Sequence, residues 1–117
     1  AIPAEIAGQA ADQLLNPWIR AFLAIDPADY LAKVRIPALA LNGTKDLQVP
    51  AEANLAAIGG ALDAAGNKSY RLIKLEGLNH LFQRAGTGLP QEYAAIAEDF
   101  APEALAALGD WIVATTR

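Results

Sequence analysis

The sequence contains no cysteine and no methionine, and it has a single histidine, His80. Without cysteine there can be no disulfide, no thiolate nucleophile and no cysteine-ligated metal. One histidine cannot build a multi-histidine metal centre, so the sequence implies neither a metal nor a cofactor. No apolar run approaches the roughly 20 residues that a membrane-spanning helix needs. We therefore expect no membrane span.

Charge is also scarce, because only 19% of the residues are charged and the net charge is −4. The nine basic residues are scattered singly, whereas phosphate binding needs clustered Lys and Arg. We therefore expect no nucleic-acid partner. The apolar share of 54% excludes a disordered chain, and 117 residues fit one domain covering residues 1–117.

The first residues include neither an initiator methionine nor a charged segment followed by an apolar run. This pattern fits a chain trimmed at its start, and it does not match a secretory signal peptide. Any targeting signal could lie upstream, so the sequence leaves the compartment open.

Apolar spacing and capping residues predict four helices, which cover residues 4–15, 17–25 and about 50–65, and a last helix that Pro102 opens. Asp26-Pro27 begins a short turn that ends near Leu31. Asn16 and Asp26 each precede a proline, which is typical of a helix start, so Asp26 is better explained as a cap than as a catalytic acid. The side chains expected to pack in the core have helical spacing: Trp18, Phe22, Leu55, Ile58, Leu62, Leu105, Leu108, Trp111 and Ile112. Residues 81–101 are rich in loops, with a turn of helix near Tyr93.

Two short segments are predicted to be strands. Residues 36–41 form a continuous apolar run closed by Asn42-Gly43, which is typical of a strand covered on both faces. Residues 70–75, closed by Glu76-Gly77, form the second strand. With a helix between them, they predict an α/β fold built on a βαβ unit, with parallel strands and flanking helices. Two parallel strands alone are marginal. We therefore expect a neighbour on at least one edge: the rest of a larger sheet, a second copy in a homo-oligomer, or another fragment.

The residues able to do chemistry follow these strands. Asp46 lies in the loop after the first strand, and His80 lies in the loop after the second. The carboxyl ends of neighbouring parallel strands meet at one edge of the sheet. A carboxylate placed there against the imidazole would fix its tautomer and stabilise the imidazolium. Taken singly, an Asp in a turn and a lone histidine are more often structural.

The segment 36–50, with the pattern strand–G-x-x-D–x-x-V-P, resembles the acid loop of α/β-hydrolases. Gly77-Leu78-Asn79-His80 is similar to the histidine loop that follows it. The resemblance covers about residues 16 to 113, and it is closest to bacterial esterases, lipases and serine-aminopeptidase-like members. It implies that the chain is the C-terminal fragment of a serine hydrolase, with Asp46 and His80 as the acid and base of a catalytic triad.

The chain departs from that family in one respect, because it contains no G-x-S-x-G. Its only serine, Ser69, precedes a strand, at the wrong end of the sheet for a nucleophile. The fragment should therefore be inactive alone, and the nucleophile and oxyanion loop should lie before Ala1. The expected partner is the N-terminal remainder of the same protein.

In the intact enzyme the resemblance implies cleavage of a small acyl ester, thioester or amide. Phe82 is a candidate for the substrate pocket because it lies two residues past His80. Glu76 is near His80 in sequence, but a carboxylate at a strand end is usually solvated. The alternative is a non-catalytic interaction or structural module derived from a hydrolase.

Overall fold

The computed structural model describes residues 16–117, so the helix expected at residues 4–15 lies outside the described residues. The elements, in chain order, are helix α1 (Pro17–Leu23), helix α2 (Pro27–Leu31), strand β1 (Ala38–Gly43), helix α3 (Ala51–Ala64), strand β2 (Tyr70–Leu75), a 3₁₀ helix (Pro90–Ala95) and helix α4 (Pro102–Thr115). The part of the chain that the structure describes is therefore mixed α/β.

The predicted βαβ unit is confirmed. β1 and β2 pair in parallel, from Ala38 opposite Tyr70 to Gly43 opposite Leu75. β2 has the predicted bounds, whereas β1 begins and ends two residues later than expected. Proline lacks an N–H for the ladder, so pairing starts only after Pro37. At the other end, the backbone stays extended through Gly43 because β2 still provides partners there.

The helix ends follow the sequence signals closely. Asn16 and Asp26 each accept a hydrogen bond of 2.9 Å from the backbone N–H two residues later, which confirms both as helix caps. α3 ends where Gly66 adopts a φ of 71°. This left-handed turn lets the N–H of Asn67 reach the carbonyl of Leu62 at 3.0 Å and satisfy the helix end.

The two long helices cover opposite faces of the sheet. α3 packs where Leu72 projects from β2: a Cβ placed on Gly59 would lie only 3.0 Å from its side chain. On the other face, Ala101 and Ala104 of the α4 region form the buried core with Leu75 and Leu78. Helices on both faces of a parallel pair bury it from both sides, as such strands require.

The prediction that the large apolar side chains of α4 are buried is wrong. Ala104 and Ala107 face the sheet, whereas Leu105 is 55% exposed and Leu108 and Ile112 are also exposed. Of the four large residues predicted to be buried, only Trp111 is half-buried. A sheet of two strands about 5 Å apart is too narrow to cover the whole stripe. The small side chains make the close approach, and the large ones extend beyond the sheet.

The prediction that Trp18 and Phe22 pack in the core is also wrong for the described residues. Trp18 is 67% exposed and Phe22 is exposed as well. Their rings stack on one another with centroids 5.5 Å apart. Spacing correctly placed both on one face of α1, but nothing within residues 16–117 covers that face.

Gly43 allows the backbones that follow the two strands to touch. A Cβ placed on Gly43 would lie 2.1 Å from the carbonyl oxygen of Leu78. That distance is far inside van der Waals contact, so any side chain at position 43 would push the two loops apart. The proximity of the loops therefore depends on a residue without a side chain.

We predict that Gly43→Ala lowers the free energy of unfolding by about 1–3 kcal/mol or more, because the methyl group overpacks a site bounded by backbone. Gly60→Ala is the matched control. Gly60 lies in α3, and a Cβ there meets nothing within 4 Å, so the helix should gain roughly 0.5–1 kcal/mol. Urea unfolding of both variants measures the difference, and equal effects would contradict the close contact.

Candidate functional site

Two loops leave the carboxyl edge of the sheet and are held together by backbone hydrogen bonds. Residues 44–50 follow β1, and residues 76–89 follow β2. The N–H of Lys45 donates to the carbonyl of Leu78 at 2.9 Å. The N–H of Gly77 donates to the hydroxyl of Thr44, also at 2.9 Å. The loops are therefore placed by the sheet and by each other.

These loops bring the two predicted site residues into direct contact. Nδ1 of His80 lies 2.9 Å from Oδ2 of Asp46. The Asp46 side chain is only 6% exposed, whereas that of His80 is 39% exposed. The second ring nitrogen of His80, Nε2, makes no hydrogen bond to any residue in the range 16–117. The imidazole thus has one buried partner and one available nitrogen.

The Asp46 carboxylate is satisfied on both oxygens. Oδ1 accepts the N–H groups of Gln48 at 3.0 Å and Val49 at 2.8 Å. Burial opposes ionisation, but the hydrogen bonds from Val49, His80 and Gln48 outweigh it and hold the pKa of Asp46 below its ordinary 3.8. Asp46 is therefore a carboxylate at neutral pH and can only accept. It follows that Nδ1 of neutral His80 carries the ring proton.

Asn42 is a site residue that the sequence analysis did not identify. Its buried amide donates to Oδ2 of Asp46 at 3.2 Å and to the carbonyl of Val49 at 3.1 Å. Its own oxygen accepts from Asn54 of α3 at 2.7 Å. The two acceptors on one side and the donor on the other determine which way the amide points. A polar residue at the end of an otherwise apolar strand is the signal that could have revealed it.

Phe82 contacts both the site and the core. It lines a pocket of about 190 Å³ together with His80 and Asp46. Its ring also stacks on Phe100 with centroids 5.3 Å apart. Its role in binding substrate stays a prediction. A larger pocket of about 670 Å³ opens beside the loop of residues 44–50. Its lining residues are Thr44, Asp46, Leu47, Pro50, Ala51, Glu52, Lys74 and Glu76.

The other candidate residues lie away from the imidazole. Ser69 immediately precedes β2, at the opposite end of the strand from His80, as expected from its sequence position. Asp26 caps α2, and Glu76 is exposed. Of the candidate acids, Asp46 alone contacts His80 among the described residues.

The geometry has defined chemical capabilities. An imidazole held by a buried carboxylate through Nδ1 presents a basic lone pair on Nε2 and can take up and return a proton. Within residues 16–117, no group of three or more His, Cys, Asp or Glu side chains could hold a metal ion. In the same range, no helix has both the length and the apolar character needed to cross a membrane.

Fold and site together define a mixed α/β chain with a carboxylate–imidazole pair at the carboxyl edge of a parallel sheet. Comparison of the chain with models of known protein families, with curated proteins and with solved structures finds no match.

We predict that Asp46→Asn moves the His80 ring proton from Nδ1 to Nε2. The backbone N–H groups of Gln48 and Val49 both need the acceptor at Oδ1, whereas the Asn42 amide keeps its bond to the Val49 carbonyl if it loses the one to Oδ2. The new amide should therefore turn its oxygen toward the two N–H groups and its NH₂ toward His80. Nδ1 must then accept, which is the wrong tautomer for a general base. Because His80 is the only histidine, long-range ¹⁵N NMR reports its tautomer without overlap. A variant that keeps the proton on Nδ1 would contradict this arrangement.

The low pKa of Asp46 also predicts how stability depends on pH. A carboxyl whose pKa is lower when folded contributes stability above its unfolded value, 3.8 for an ordinary Asp, and this is lost as pH falls through the folded value. The free energy of unfolding should therefore drop with acid below about pH 4. Asp46→Asn should make this drop smaller in urea titrations at several pH values. If the free energy of unfolding falls equally with pH in both proteins, folding does not lower the pKa of Asp46.

Proposed function

We propose that this chain supplies the acid and base of a serine hydrolase of the α/β-hydrolase type, as its C-terminal portion. The observation that carries the proposal is the 2.9 Å contact between Nδ1 of His80 and buried Asp46, with Nε2 available. The order of acid then base along the chain is the order in which this fold uses them. The resemblance of residues 36–50 and 77–80 to the acid and histidine loops adds to it.

In this function, a serine in a segment outside the described residues attacks the carbonyl of an ester, thioester or amide. His80 takes the serine proton on Nε2 and later returns it to the leaving group. Asp46 keeps the ring in the required tautomer and stabilises the imidazolium. Ser69 takes no part, because it lies at the other end of β2.

The charge pattern of the strands supports β1 as the side on which the rest of the enzyme joins. β2 carries exposed Arg71 and Lys74, and such charges are typical of edge strands, which must avoid pairing further. β1 has no charged residue. Within residues 16–117 no strand pairs with the other edge of β1, yet that edge has the charge pattern of a strand that is paired on both sides.

The pocket near His80 supports a small-molecule substrate. Leu41 and Asn42, near the carboxyl end of β1, line this pocket together with His80. In this proposal a neighbouring segment of the enzyme closes the pocket. In this proposal Phe82 forms part of the substrate wall.

The decisive experiment expresses this chain together with the coding sequence directly upstream and treats the product with a fluorophosphonate, which labels activated serines. We expect labelling of a serine outside the described residues, together with ester hydrolysis. His80→Ala should lower kcat by about 10²-fold or more, since general-base catalysis contributes that much. Ser69→Ala is the control and should change neither labelling nor kcat.

The chain alone should be neither labelled nor active. If the longer protein is not labelled either, the non-catalytic module becomes the better interpretation. A loss in His80→Ala of less than about tenfold, or 1.4 kcal/mol, would show that His80 is not the base.

A further inference from the structure

We propose that Asn79 is a positioning residue that holds His80 against Asp46. Its catalytic meaning rests on the hydrolase function proposed above, but the physical effect is a property of the chain itself. Asn79 is completely buried, and it immediately precedes the histidine. It does not touch the imidazole; it acts through the backbone of the turn that carries the ring.

Nearly all the hydrogen bonds that close this turn involve Asn79. Its Oδ1 accepts the N–H of Leu81 at 2.9 Å and the N–H of Gln83 at 3.0 Å. Its backbone N–H donates to the carbonyl of Gln83 at 3.0 Å, and its carbonyl accepts the N–H of Phe82 at 3.1 Å. His80 lies inside this loop, so the position of its Cα depends on these four bonds.

The second half of the Asn79 amide anchors the turn to the rest of the protein. Nδ2 donates to Oε1 of Gln83 at 3.0 Å. The Gln83 amide in turn donates to the carbonyl of Glu98 at 3.0 Å, shortly before α4. The two amides are buried and mutually satisfied. Such a network is rigid, because breaking one bond leaves its partner buried and unpaired.

The turn needs this support because it contains a strained residue. Phe82 has a φ of 57°, and it is the only non-glycine residue with positive φ in the described range. A bulky side chain is strongly disfavoured in this region of backbone conformation. The carbonyl of Phe82 accepts the N–H of Ala101 at 2.8 Å. Without Asn79, relaxation of Phe82 would move His80, two residues earlier, away from Asp46.

Asn79→Ala tests the proposal in the chain as it stands, and Asn67→Ala is the matched control. Asn67 is also buried. Its side chain makes three hydrogen bonds, to Val34, Ile36 and Ser69, and that of Asn79 also makes three. Asn67 lies at the opposite end of the sheet, so both substitutions remove similar bonds but only one is next to the histidine.

The readout is the ratio of the Nδ1–H to the Nε2–H form of neutral His80, measured by long-range ¹⁵N NMR. We expect Asn79→Ala to lower this ratio by about fivefold or more, as expected from weakening one hydrogen bond. Asn67→Ala should leave it unchanged. Asn79→Asp keeps the acceptor for the Leu81 and Gln83 N–H groups but loses the donor to Oε1 of Gln83, so it should restore the ratio only in part.

Gln83→Leu provides a second route if Asn79→Ala does not fold, because it removes the anchor while leaving the turn's own bonds in place. It should lower the ratio less than Asn79→Ala. An unchanged ratio in every folded variant of Asn79 and Gln83, or an equal change in Asn67→Ala, would overturn the proposal. Fluorophosphonate labelling plays no part in this measurement, so failure of the hydrolase function would be recognised separately.

Discussion

The site depends on the register in which β1 and β2 pair. Because Gly43 lies opposite Leu75, both strands end at the same level and their loops leave the sheet side by side. Because Gly43 has no side chain, the backbone at the start of the first loop can lie against Leu78 of the second. A shift of one residue would turn β2's side chains to the other face and separate the loops. The Asp46–His80 contact follows from this pairing.

The buried polar side chains around that contact are all hydrogen-bonded. Within residues 16–117, no buried side-chain nitrogen or oxygen lacks a hydrogen-bond partner. Asn42 donates a hydrogen bond to the Asp46 carboxylate. Asn79 accepts hydrogen bonds from the backbone of the turn that carries His80. A buried network of this kind is stabilising only when complete. Within residues 16–117, Nε2 of His80 takes no part in this network.

The polar groups at the carboxyl edge of the sheet have their hydrogen-bond partners, whereas several apolar surfaces stay exposed. In the described part of the chain, residues 16–117, large side chains of α1 and α4 such as Trp18 and Leu108 are exposed. In the same range one edge of β1 is unpaired, and this strand has no charged residue. Single exposed apolar residues are ordinary, but rows of them along helices mark surfaces suited to a partner. These surfaces and the free strand edge are consistent with a polypeptide that packs against further protein.

The sequence by itself determined the elements and their order. Local signals are sufficient for this: Asp26-Pro27 starts a helix, Gly66-Asn67 ends one, and the short segments before Asn42-Gly43 and Glu76-Gly77 become strands. It also placed Asp46 and His80 at one edge, because parallel strands share their direction. Tertiary structure alone decided which face of α4 meets the sheet, since this depends on the width of the surface that it covers. It also decided the roles of Asn42 and Asn79, because hydrogen bonds to a buried carboxylate and to a strained turn exist only once the distant backbone is in place.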